Sequence, residues 1–196
     1  MEDADNIFKI DPGNIKPVQG RVLISEPFTN DYYFKRSVVL LIEHSDEGTF
    51  GWIINKPLNL KLEDVSKEFS TFDTGIYLGG PVKTENMYFI HRLGNRIKGS
   101  VEIKEGIYWG GDVEQVKEMI DRHEISTSDI RFFIGYSGWI PKQLENELEN
   151  NAWVVSTINS SEIMKADIET LWDRLVTRLG DKYKLWTTFP TNPSVN

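Results

Sequence analysis

The chain has 196 residues, with 22 Lys plus Arg against 30 Asp plus Glu, giving a formal net charge of −8 and a pI of about 5.0. It has no Cys, which excludes disulfide scaffolds, thiolate zinc sites, cysteine nucleophiles and iron–sulfur clusters. Hydrophobic residues make up 39%, including six Trp, seven Tyr and ten Phe, enough apolar area for a single packed core, while the acidic field opposes unguided binding to nucleic acid or anionic membrane.

Residues 1–20 are polar, with Pro12, Gly13 and Pro17, and read as a lead-in segment. The first ten lack the charged and apolar regions of a secretory signal, and the longest nearly apolar run, Val38 to Ile42, is five residues. A membrane span needs about 18, so no membrane association and a cytoplasmic location are expected.

Arg21 to Ser25 predicts a first strand, followed by an aromatic-rich loop over residues 26–35. Ser37 to His44 is β-branched and almost continuously apolar, as in a strand covered on both faces. The Ser45–Gly48 turn signal and the strand Gly51–Asn55 complete a hairpin that Lys56-Pro57 ends. Leu62, Val65 and Phe69 share a helical face. Short strands are predicted at 76–78, 87–92, 100–103 and 107–109, punctuated by glycines. Asp112 is an N-cap, with Gln115 as its capping-box partner, for a helix over 113–123. Ile130 to Gly135 is a further strand, and Pro141 opens a helix carrying Leu144 and Leu148. Ala152 to Ile158 is a strand, and the stripe Ile168, Leu171, Trp172, Leu175 and Leu179 is a helix ending at Gly180. Residues 181–196 read as an extended tail. These elements predict one α+β domain. Its sheet is mixed, mostly antiparallel and coiled, curled toward a partly open barrel, with about four flanking helices.

Gly135-Tyr136-Ser137-Gly138-Trp139 stands between a strand and a helix, where a hydrolase would place its nucleophile. That turn needs a small residue two places after the serine, and here the position is Trp139. A glycine-bearing loop beside the sheet, with Tyr136 and Trp139 packed there, fits better. The three histidines, His44, His91 and His123, have no metal-ligand spacing. His123 at a helix end is accounted for by the dipole. His44 and His91 each end a strand and are read first as hydrogen-bonded structural residues. Gly79-Gly80 and Gly110-Gly111 extend to no nucleotide fingerprint. Lys83, Arg92, Arg96 and Lys98 form a small basic segment over 83–98, a weak footprint for nucleic acid on an acidic chain.

Several segments in order carry a family resemblance. They are Glu26-Pro27 with Asp31 and Phe34, Arg36-Ser37-Val38-Val39-Leu40 through Glu43-His44, and Gly51 with Asn55-Lys56-Pro57. Gly79-Gly80-Pro81-Val82, His91, the Gly135–Trp139 run, Gln143-Leu144, Glu147 and Trp153 follow. Together they resemble the YqgE/AlgH family of bacterial proteins from about residue 20 to 180. The family pattern often has glycine before the Gln-Leu pair, where this chain has Lys142. The resemblance implies an α+β fold on coiled, partly barrel-like sheets and the transcriptional-regulator label that members often carry.

The expectation is therefore a regulatory protein acting through a protein partner more than by catalysis, with no cofactor, metal or catalytic residue assigned. The alternative is a small-ligand-binding or hydrolase-like protein, and direct nucleic-acid binding through residues 83–98 is third. A ligand or partner site is expected where Arg36, Ser37, His44, Asn55, Gly79, Gly80, His91, Tyr136, Ser137, Trp139 and Gln143 come together.

Overall fold

A computed structural model describes residues 15–165 and 167–189. Ten strands form one sheet: β1 (Val22–Ser25), β2 (Val38–Ser45), β3 (Gly48–Ile53), β4 (Pro57–Lys61), β5 (Gly75–Leu78), β6 (Val82–His91), β7 (Val101–Lys104), β8 (Ile107–Trp109), β9 (Ile130–Trp139) and β10 (Trp153–Ser156). The order is β10-β1-β2-β3-β9-β6-β8-β7, with β4 on β5 and β5 on β9. All pairings are antiparallel except β5 with β9. The sheet is open, ending at β10 and β7, and is not closed into a barrel.

Both faces are covered where the sequence is most continuously apolar. Val38, Val39, Leu40 and Leu41 have no exposed surface. Val38 and Leu40 join the cluster of Trp52, Phe133 and Trp172, whereas Val39 and Leu41 face Ile53 and Trp153. Burying an aliphatic side chain contributes about 1.5–3 kcal/mol, so this strand anchors both layers.

The helices follow their apolar stripes. They are α1 (Leu62–Val65), α2 (Val113–Asp121), α3 (Gln143–Glu149), α4 (Ser160–Ile163), α5 (Leu171–Arg178) and α6 (Asp181–Thr188). Asp112 caps α2 through the amides of Glu114 and Gln115. The Gln115 side chain instead accepts from the Lys98 amide at 2.8 Å, so it is no capping-box partner. On α5, Trp172 donates from Nε1 to the Ser25 carbonyl at 3.0 Å and ties the helix to β1. The described part of the expected extended tail is helical instead. Tyr183 and Trp186, three residues apart in α6, are 4% and 1% exposed against the same core, and that burial selects a helix. Residues 1–14 of the lead-in and 190–196 lie outside the described residues.

The hairpin stops before Lys56-Pro57, as expected, but Pro57 then opens an unexpected strand, β4, whose partner is β5. One further expectation changes. The run Gly135–Trp139 is not a loop but the second half of β9. Ser137, Gly138 and Trp139 pair with Gly51, Phe50 and Thr49 of β3. The strand turns at Gly135, whose φ of 67° a residue without Cβ adopts freely.

A candidate ligand-binding cleft on the sheet

Phe50 and Trp52 lie two apart on β3 and so share a sheet face. Tyr88 of β6, Trp109 of β8 and Tyr136 of β9 meet them there. Phe50 stands 5.7 Å from Trp109 and 6.1 Å from Tyr136, ring centre to ring centre, and Trp52 stands 5.6 Å from Trp109 and 5.7 Å from Tyr88. With Trp139 these five rings line an open cavity of about 610 Å³, within the usual size of a small-molecule site. Phe50 meets the Trp52, Trp109 and Tyr136 planes at 83°, 75° and 79°. Near-perpendicular packing of this kind sets the rings in more than one orientation around the cleft. Beneath them the Trp52 indole has no exposed surface, and its Nε1–H has no hydrogen-bond partner among the described residues.

The polar part of the lining is acidic. Glu43, Ser45, Glu47 and Thr49 complete the wall, with no Lys or Arg among the lining residues. Glu43 reaches this face through a β-bulge. Leu41 pairs with Gly51, but the next pair is Glu43 with Phe50, leaving Ile42 as the extra residue. Cross-strand partners share a face, so the bulge turns the Glu43 side chain to the aromatic side.

The residues expected to form a site are mostly scaffold. Asn55 Oδ1 accepts from the Val38 amide at 2.8 Å, and its Nδ2 donates to the Arg36 carbonyl at 2.9 Å, fixing the start of β2. The Ser37 amide donates to Ser25 Oγ at 2.8 Å. Arg36 lies 4.9 Å from the Trp172 ring centre, 3.9 Å from Asp173 and donates to the Phe189 carbonyl. Gly79 and Gly80 mark a backbone crossing. A Cβ at Gly79 would come within 2.3 Å of the Gly135 carbonyl, and one at Gly80 within 2.3 Å of Tyr136. Ser137 is fully buried and donates to the Gly79 carbonyl at 3.1 Å. Gln143 donates to Glu147 at 2.9 Å and accepts from the Ile140 amide at 3.1 Å.

Nor do the histidines assemble with Ser137. His44 bonds through Nδ1 to Thr49 Oγ1 at 2.7 Å, with Glu145 at 3.9 Å from Nε2, beyond a hydrogen bond. His91 is fully buried and bonded to Gly110, Ser100 and Leu93. Strands β3 and β9 lie between the strands of His44 and His91. Of the expected residues, only Tyr136 and Trp139 line the cleft. The ones missed are Phe50, Trp52, Tyr88, Trp109, Glu43 and Glu47. The aromatic pair spaced two apart on β3 was the readable signal.

The basic segment is likewise dispersed. Lys83 opens β6, whereas Arg92 follows its far end and donates to the Ser161 carbonyl at 3.4 Å. Arg96 is paired with Glu124 at 3.2 Å. Beside the loop over residues 26–35, Lys56 donates to the Tyr33 carbonyl at 2.7 Å, and burial lowers its pKa to about 8 against the opposing pull of Asp31. Among the described residues no group of three or more His, Asp or Glu could hold a metal, and no helix is long and apolar enough to cross a membrane.

Fold and site together define an open-sheet α+β protein built around an aromatic cleft. Residues 22–184 match the family model described as AlgH-like, and the chain belongs to that family. UPF0301 proteins of Bacteroides fragilis and Parabacteroides distasonis are each 43% identical to it, with all of both chains covered. The crystal structure of a Corynebacterium diphtheriae protein matches with a TM-score of 0.71 and 26% identity over 89% of this chain and 94% of that one. The solution structure of the AlgH protein from Pseudomonas aeruginosa matches with a TM-score of 0.69 and 26% identity, covering 90% and 97%.

Proposed function

We propose that this protein acts by binding and not by catalysis, and that a small organic ligand sits in the aromatic cleft. One contrast carries the reading: the reactive side chains Ser137 and His91 are buried and hydrogen-bonded within the sheet, whereas the open concave surface is lined by rings. A pocket with that lining holds ligands mainly by apolar and π contact. The test is an NMR screen of the full chain with small neutral and charged aromatic compounds. Shifts at Phe50, Trp109 and Tyr136, with those at Phe50 and Tyr136 lost in a Trp109→Leu variant of unchanged circular dichroism, support the reading. Shifts centred elsewhere, or none, overturn it.

Regulation through a protein partner is a second reading, favoured by Ile140, which is 73% exposed at the cleft rim. A photo-crosslinking residue at position 140 should trap one repeated partner that the same residue at Val101, also exposed, does not. Equal trapping at both positions argues against it.

A further inference from the structure

The cleft combines aromatic rings with two exposed carboxylates. Glu43 and Glu47 are exposed at its wall, and neither has an ion-pair partner among the described residues. An anionic ligand entering here would meet two like charges and no Lys or Arg in the lining. An organic cation would meet the reverse. The π-systems of Trp109, Tyr136 and Phe50 attract a cation seated against them, the carboxylates add Coulomb attraction, and the net charge of −8 raises its local concentration. The bulge strengthens the case. It costs regular pairing between β2 and β3, and its consequence is to place Glu43 opposite Phe50, at the rings.

We infer that the ligand of the cleft is a small organic cation of the quaternary-ammonium class, held by the rings of Phe50, Trp109 and Tyr136 with Glu43 and Glu47 at the mouth. The inference rests on the binding role proposed above and adds the charge of the ligand. A methylated ammonium spreads its charge over an apolar surface and sheds water cheaply. It therefore gains more from ring faces than a strongly hydrated primary ammonium does.

The test titrates the full chain with choline, with its neutral isostere 3,3-dimethylbutan-1-ol, and with indole as a neutral aromatic. Tryptophan fluorescence and ring-proton shifts of Trp109 and Tyr136 are followed. Choline is expected to bind at least ten-fold more tightly than the isostere. The Glu43→Gln, Glu47→Gln double variant, altered only at exposed positions, should narrow that ratio several-fold and reduce its dependence on salt. Equal binding of choline and isostere, or binding of indole alone, overturns the cationic assignment and leaves the binding role standing. Absence of any shift at the cleft rings with all three probes overturns both.

Discussion

Ser137 Oγ donates to the Gly79 carbonyl at 3.1 Å, inside the sheet and with no exposed surface on the serine. The hydroxyl thus fastens β9 to the chain leaving β5, at the crossing where Gly79 and Gly80 admit no Cβ. A buried neutral hydrogen bond contributes about 1 kcal/mol. Ser137→Ala should lower stability by about 1 kcal/mol in urea titration and leave cleft binding unchanged. A fluorophosphonate, which labels activated serines, should leave Ser137 unmodified. Stoichiometric labelling there would show that the serine is a nucleophile after all.

A second fastening joins α3 to the sheet. One oxygen of Glu147 accepts from Trp139 Nε1 at 2.8 Å and from Trp153 Nε1 at 2.7 Å, and its other oxygen accepts from Gln143 at 2.9 Å. Glu147→Ala leaves two indole donors without an acceptor, each carrying a desolvation penalty. A loss of about 2–3 kcal/mol is expected, or roughly 4–12 °C in Tm for a chain of this size. A loss below about 0.5 kcal/mol would mean that water replaces the carboxylate and that the network contributes little.

The strands and helices were legible because burial repeats along the chain. Val38 to Ile42 reads as a strand from either face, and Val116 with Ile120 reads as a helix. The cleft was hidden because it depends on pairing. Phe50, Tyr88 and Trp109 belong to strands far apart in sequence, and the bulge that brings Glu43 to them leaves no mark in composition. Arg131 was missed for a related reason. Its guanidinium is buried, donates to the carbonyls of Ile163 and Lys165 at 2.7 and 2.8 Å, and lies 4.5 Å from the Tyr77 ring centre, partners supplied only by the fold. The segments carrying the family resemblance were easy to see, and most of them turn out to fix backbone crossings and strand starts.

Lys142 shows what the departure from glycine does. It takes φ 65° immediately before α3, a left-handed conformation that L side chains adopt at a cost of about 1 kcal/mol. Lys142→Gly removes that strain but makes the unfolded chain more flexible. Relief of about 1 kcal/mol less the roughly 0.4–1 kcal/mol of added chain freedom leaves a net gain of about 0–0.6 kcal/mol, read from urea titration. A net loss would show that the lysine side chain stabilises the turn by more than the strain costs.

The pH dependence should centre on His91. Its Nδ1 accepts from the Leu93 amide at 3.2 Å, so the ring proton is assigned to Nε2, which faces the Gly110 carbonyl at 3.2 Å and Ser100 Oγ at 3.1 Å. A second proton on Nδ1 would confront the Leu93 N–H. Burial already lowers the pKa of this imidazole, with the Gly110 bond pulling weakly the other way. The unfolded chain titrates near the ordinary value of about 6.5. Between that value and the lower folded one the unfolded state binds more protons, so stability falls as pH drops through this window and is retained above it. The urea midpoint should decline as pH falls below about 6.5, and His91→Gln, less stable throughout, should flatten that decline. In NMR, the His91 ring protons should begin to shift only below the ordinary histidine range. Titration at or above about 6.5 would show that the Leu93 amide does not hold Nδ1 as an acceptor.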